Sequence, residues 1–226
     1  MVNENMLSRR TLLRTAALGS AALAAGVVPV RAASPARLRP ENPDESLTRL
    51  MDGNARFVSG EAEAPRRSLD RVRELSSGQQ PYAAILGCAD SRVPVEILFD
   101  EGFGDLFTVR VAGNVATPEE IASLEYAVAV LGSSVVIVLG HTACGAVTAA
   151  VEGKAVPGQI SALFQHIAPT LPAGSTVEAA IEENVRHQVS VLRTASPVIR
   201  EAEASGAVAV RGAVYSLSDG RVHLID

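Results

Sequence analysis

The sequence predicts an α/β domain, with a mostly parallel central sheet flanked by helices and an antiparallel C-terminal edge. Three observations point there. Short continuous apolar runs, the mark of strands buried on both faces, lie at Tyr82–Gly87 and Val135–Leu139, and Leu106–Val111 reads as a further strand. Segments of helical periodicity alternate with them, as in a layered α/β fold. Near the C-terminus, Ala207–Leu217 and Arg221–Ile225 read as strands joined by Asp219-Gly220, a hairpin signal.

The elements follow in order. Leu47, Leu50, Met51, Ala55 and Phe57 recur near helical spacing and predict a helix over 44–59; a second covers 68–75. After the first two strands, Thr117-Pro118-Glu119-Glu120 opens a helix, with Thr at the N-cap, Pro at N1 and Glu at N3. It runs to about Leu131 and stops at Gly132. The third strand is the most apolar and is followed by a helix over 144–151. A long helix over 178–193 is capped by Ser175 or Thr176, and Ser196-Pro197 starts the last one. No internal repeat and no second domain boundary interrupts this pattern.

Composition excludes several classes. The chain has 226 residues, 47% apolar and 20% charged, which is too apolar for a disordered protein and large enough for a full core. Two cysteines cannot make a disulfide scaffold. Residues 1–32 carry Arg9, Arg10, Arg14 and Arg31 against Glu4, a balance of +3 within a total of −5, so the remainder stands at −8. An acidic body without a Lys/Arg stripe argues against nucleic acid as a partner.

The N-terminus reads as an address. Ser8-Arg9-Arg10-Thr11-Leu12-Leu13 precedes an Ala-rich apolar run from Thr15 to Val30, and Val30-Arg31-Ala32-Ala33 supplies small residues for cleavage. The Arg pair followed by two Leu resembles the bacterial twin-arginine signal, a route that carries already folded proteins, often with a cofactor in place. A membrane anchor or an amphipathic first helix is the alternative, but the run of about 16 residues is shorter than the roughly 20 a spanning helix needs. Residues 1–32 are therefore expected to be a signal peptide, 33–43 a Pro-rich linker, and 44–226 the functional domain. The mature protein is expected in the periplasm, free of the membrane.

Two loops carry the chemistry, each directly after a predicted strand, where α/β sheets gather ligands. One is Gly87-Cys88-Ala89-Asp90-Ser91-Arg92; the other is Gly140-His141-Thr142-Ala143-Cys144-Gly145. Cys88, His141 and Cys144 offer two thiolates and an imidazole, a set suited to zinc that leaves a fourth position open. Asp90 is near enough to fill that position or to contact what does. Blander readings remain. The two cysteines of an exported protein can form a disulfide; His141 can be a satisfied core residue; Asp90 and Arg92 can be a structural ion pair.

The pattern Cys88-x-Asp90-x-Arg92 with His141-x-x-Cys144 resembles the zinc signature of the β-class carbonic anhydrases. Val93-Pro94, Arg110 through Asn114, Glu125-Tyr126-Ala127 and the whole of Gly140–Gly145 resemble the same family, over roughly residues 44–226. The resemblance implies one Zn2+ per chain on Cys88, His141 and Cys144, and reversible hydration of CO2 to bicarbonate and a proton by zinc-bound hydroxide. It implies an Asp90–Arg92 dyad in which Asp90 accepts a hydrogen bond from that hydroxide; released by Arg92, Asp90 would ligate zinc and close the site. Gln79, Phe107, Tyr126 and Gly145 are implied to line the substrate crevice, with the Gln79 amide on bicarbonate. A homodimer or homotetramer is implied, with Gln79 and Phe107 reaching the partner's zinc. Ile85 stands where some members carry the Trp of a second bicarbonate site, so that site is not expected.

The physics runs the same way. CO2 is uncharged and small, and needs an apolar slot beside a nucleophile. Two thiolates damp the acidifying power of zinc, which makes an orienting carboxylate valuable, and Arg is the residue to hold one by a fork. Two other readings stay open: a carbon disulfide or carbonyl sulfide hydrolase on the same scaffold, and a non-catalytic zinc or redox module. His166, His187, His223 and the Glu182-Glu183 pair have no partner motif and are expected to be surface or core residues.

Overall fold

The structure is a computed structural model that describes residues 39–167 and 175–225. The expected signal peptide, 1–32, and the first part of the expected linker lie outside the described residues.

Five strands form one sheet in the order β2-β1-β3-β4-β5: β1 is Ala83–Gly87, β2 Leu106–Arg110, β3 Val135–His141, β4 Ala209–Tyr215 and β5 Val222–Ile225. The first four are parallel; β5 returns antiparallel on β4, with Tyr215 opposite Val222. Alternation along the central strands sorts side chains into two layers. Ile85, Val135, Ile137 and Leu139 pack with Leu50 of α1 (Pro43–Ser59) and with Val95 and Leu98 of α3 (Val95–Leu98). Leu86, Val136, Val138 and Val210 face Leu124 of α4 (Pro118–Ala129), Val185 and Leu192 of α6 (Val177–Ala195), and Ile199 of α7 (Pro197–Ala204). Both faces are covered, which is why β1 and β3 read as unbroken apolar runs.

The chain order places the site. From β1 the chain crosses to β2 at the sheet edge, then returns past β1 to β3. The reversal makes β1/β3 the switch point, and the loops beyond their carboxyl ends flank the crevice where such sheets bind ligands. Those loops contain Cys88 and His141–Cys144.

Local chemistry explains the helix ends. Asn42, Ser68, Thr176 and Ser196 accept backbone N–H groups at the starts of α1, α2 (Leu69–Glu74), α6 and α7. Thr117 takes the expected N-cap position, but its hydroxyl donates to the Glu119 carboxylate (2.8 Å) and sits against that of Glu120, so the expected backbone cap does not form. Three short elements carry no sequence signal: α3 and two 3-10 turns, Ala112–Asn114 and Ile160–His166. They are too short for periodicity and are set by tertiary contacts.

A buried carboxylate secures the segment before α2. Asp100, fully buried and at φ 49°, accepts from Arg56 Nε (2.7 Å) and from the amides of Glu63 (3.0 Å) and Ala64 (2.8 Å). Burial alone would raise its pKa; the guanidinium and the two amides outweigh that and hold it below its ordinary 3.8. Removing Arg56 strands this charge. Arg56→Ala is expected to cost about 3 kcal/mol at neutral pH, read by chemical denaturation. A depressed carboxylate contributes stability above its unfolded pKa and loses it as pH falls through the folded one. The gap between variant and wild type should therefore shrink below about pH 4; a gap constant into acid would show that Asp100 is not the group responsible.

Candidate metal centre

Parallel pairing brings the two loops side by side, because Gly87 is in register with Leu139 and the chains leave the sheet together. Gly140 lets α6 close on this edge: a Cβ there would stand 2.6 Å from Val185 Cγ2. Beyond His141 the chain turns through Ala143, a non-glycine residue at φ 54°, and reaches Cys144, the N-cap of α5 (Gly145–Val151). The Arg92 guanidinium donates to the Ala143 carbonyl (3.3 Å) and ties this turn to the first loop.

The ligating atoms of Cys88, His141 and Cys144 all lie within 4.8 Å of one another, and all three residues are buried. Both cysteines are free thiols. The Thr142 carbonyl, 2.9 Å from His141 Nδ1, can only accept, so Nδ1 carries the proton. Nε2 is left with its lone pair, buried and without a hydrogen-bond partner among the described residues. An orphaned buried acceptor costs roughly 1–3 kcal/mol, and a metal ion would satisfy it. Cys88 is held down first by the neighbouring Cys144 thiol and also by the Gly113 amide, against its burial; Cys144 is pushed up by the same contact with Cys88 and by burial. A dication seated among these groups would displace the remaining thiol protons. Two thiolates and one imidazole fit zinc.

Asp90 and Arg92 stand beside this set. Asp90 Oδ1 accepts from the Arg92 amide (2.9 Å) and Nε (2.9 Å), and Oδ2 from Nη2 (2.7 Å). This fork, more than any other contact, holds the Asp90 carboxyl well below the usual carboxylate range. Oδ2 lies 3.8 Å from His141 Nε2. Arg92 is half exposed, so the dyad opens to solvent.

A protein-family model described as carbonic anhydrase matches residues 83–222. Carbonic anhydrase 2 of Mycobacterium tuberculosis is 41% identical over 194 residues, covering 82% of this chain and 94% of the relative. The chain belongs to the β-class carbonic anhydrase family. A carbonic anhydrase of Mycolicibacterium smegmatis is 40% identical over 192 residues, covering 81% of this chain and 93% of that one. Among solved structures, the β-carbonic anhydrase CcaA superposes with a TM-score of 0.62 at 28% identity, covering 80% of this chain and 87% of that one.

Not every crevice residue implied by the β-carbonic anhydrase resemblance meets the metal set within one chain. Gly145 follows Cys144 directly, and a Cβ there would meet open space. Phe107 is in register with Ala84, four residues before Cys88, and stacks against half-exposed Tyr126 at 6.3 Å. Gln79 precedes β1 at the opposite end of a strand spanning roughly 16 Å. It lines a separate cavity of about 520 Å³ with Arg39, Arg49, Arg66 and Tyr82. Beneath that cavity, buried Glu101 accepts from Arg49 Nε (2.7 Å), Arg66 Nη2 (2.8 Å) and the Tyr82 hydroxyl (2.8 Å).

Three supporting groups of this anhydrase fold escaped the sequence reading. Arg110, at the end of β2, donates to the carbonyls of Cys88 (2.9 Å) and Asp90 (2.6 Å) and so shapes the loop that carries both. Its place at the carboxyl end of a predicted strand and its position at the head of the Arg110–Asn114 stretch that resembles the family were the signals that could have found it. The Gly113 amide donates to Cys88 Sγ (3.4 Å), and the Thr142 carbonyl sets the His141 tautomer. Both are backbone groups, invisible to residue type. His166 lies in a 3-10 turn, His187 in α6 and His223 in β5.

Proposed function

We propose that this chain catalyses the reversible hydration of CO2 to bicarbonate and a proton with one Zn2+ held by Cys88, His141 and Cys144. The observation that carries the proposal is the buried, unpartnered Nε2 of His141 converging with two free thiols. Zinc held there would act as a Lewis acid and supply a water-derived nucleophile, its acidifying power damped by the two thiolates.

The protein's own groups do the rest. Asp90, kept ionised by Arg92, accepts a hydrogen bond from the nucleophile and turns its lone pair toward the substrate carbon. Arg92 and Arg110 fix the loop so that the carboxylate stays off the ligand set; freed from Arg92, Asp90 could compete for a bound metal. Val115, Val147 and Ile167 pack around the two cysteines and give an uncharged substrate an apolar wall. Gly145, open on its side-chain side, borders the same space. Gln79, Phe107 and Tyr126 complete the crevice across a homodimer or homotetramer, Gln79 and Phe107 acting on the partner's centre; their placement away from this chain's own cysteines supports that reading. Residues 1–32 direct the protein to the periplasm by the twin-arginine route, which rests on the sequence alone. Among the described residues, no helix is long and apolar enough to cross a membrane.

Stopped-flow CO2 hydration with metal analysis tests the activity. One zinc per chain and hydration that disappears on chelation are expected; a zinc-loaded protein without hydration would overturn the proposal. Deleting residues 1–32 is expected to retain the protein in the cytoplasm with its hydration activity intact, read by fractionation and assay.

A further inference from the structure

Helix α6 presents two buried amides to the metal centre from behind. Asn184 and Gln188 are four residues apart, hence on one helix face, and both are buried. Buried amides must be satisfied, and these are. Asn184 Nδ2 donates to the Gly113 carbonyl (2.9 Å), and Gln188 Nε2 donates to Asn184 Oδ1 (3.0 Å) and to the His166 carbonyl (2.6 Å). Gln188 Oε1 accepts from the Ala116 amide (2.9 Å). Carbonyl acceptors and an amide donor leave one orientation for each side chain.

The loop they hold is unusual in its backbone. Gly113 (φ 78°) and Asn114 (φ 47°) are consecutive left-handed residues. A left-handed non-glycine residue costs on the order of 1–2 kcal/mol, so the turn needs external support. Its product is the Gly113 N–H aimed at Cys88 Sγ at 3.4 Å. The Gly113 carbonyl pinned by Asn184 lies in the peptide that follows the one carrying this N–H. With that peptide also tied by the Asn114 amide to the Val111 carbonyl (3.0 Å) and the Ala116 amide pinned by Gln188, the turn after Gly113 is fixed and limits how far the N–H can rotate away.

We infer that Asn184, braced by Gln188, is a positioning residue for the metal centre: it holds the Gly113 amide on the Cys88 sulfur and so sets how much charge that thiolate gives to its metal. The inference rests on the zinc reading. A thiolate that accepts an N–H bond is a weaker electron donor, as hydrogen bonds to sulfur tune other metal–thiolate sites. That matters here because two thiolates otherwise neutralise the metal and blunt its acidifying effect. An amide on Cys88 restores part of it from a helix that contributes no ligand.

Two measurements test this. In the native protein loaded with ¹¹³Cd and labelled with ¹⁵N, the Gly113 amide proton should show scalar coupling to cadmium through the Cys88 sulfur. In the cobalt(II) form, Asn184→Ala should move the sulfur-to-cobalt charge-transfer band to lower energy, because Cys88 becomes the stronger donor once the N–H bond is lost. Val189→Ala, a cavity on the same helix outside this network, should leave the band where it is. Native protein with cysteine–metal bands but no Gly113 coupling, or an Asn184→Ala band identical to wild type, would overturn the inference and leave the zinc reading standing. Native protein that takes up neither cadmium nor cobalt would overturn both. The cadmium experiment needs no variant, so absence of the coupling overturns the inference even if Asn184→Ala does not fold.

Discussion

His141→Ala is expected to yield a folded protein without zinc and without CO2 hydration. The imidazole is the last side chain of β3 and its hydrogen bond goes to the adjacent Thr142 carbonyl, not to another element, so its loss should not unfold the domain. Its energetic role is in the metal. Protein zinc sites are worth roughly 10–16 kcal/mol. If three side chains share that, losing one weakens binding by on the order of 3–5 kcal/mol, or two to four orders of magnitude in affinity. Cys88→Ser should act alike, since a hydroxyl is a far poorer donor to zinc than a thiolate. Metal content after dialysis, beside circular dichroism, reads the outcome. A His141→Ala protein that kept one zinc per chain would remove the imidazole from the ligand set.

Asp90→Asn separates binding from chemistry. The amide keeps the carboxylate's shape but has no charge and cannot pair with Arg92 as a fork. Zinc should remain at one per chain while hydration falls on the order of 100-fold or more, the loss expected when a proton-accepting group is removed. Arg92→Ala should also hurt, by a different route: the carboxylate stays charged at neutral pH but is free to move toward the metal. The sign of the pH effect follows. Arg92 holds the Asp90 pKa well below its ordinary value, so Asp90 is ionised from mildly acidic to alkaline pH, and wild-type activity between about pH 6 and pH 9 should not report its titration. Unchanged turnover in Asp90→Asn would take this carboxylate out of the mechanism.

Much of the architecture was legible because burial writes itself into composition. Ala83–Gly87 and Val135–Leu139 are apolar throughout because helices cover both faces, and Thr176 and Ser196 announce their helices by capping them. The metal set was legible for another reason. Two cysteines and a histidine in loops after adjacent strands point to one locus, and Asp90 and Arg92 at fixed offsets from Cys88 put a held carboxylate beside it. What stayed hidden depends on distance in space. Arg110 gripping the Cys88 loop, Gly113 turned onto a sulfur and Asn184 bracing it are contacts between segments with no shared pattern. Gln79 is the instructive case: its residue type suits an anion, yet only the strand direction reveals that it stands at the far end of the sheet from the chain's own cysteines.

The proposed chemistry stands or falls with a single cation held by side chains from two loops. X-ray absorption at the zinc edge of the purified native protein tests that directly. Two sulfur scatterers at about 2.3 Å and nitrogen or oxygen at about 2.0–2.1 Å are expected. A spectrum with no sulfur in the first coordination sphere, or protein whose two cysteines are joined to each other, would contradict it.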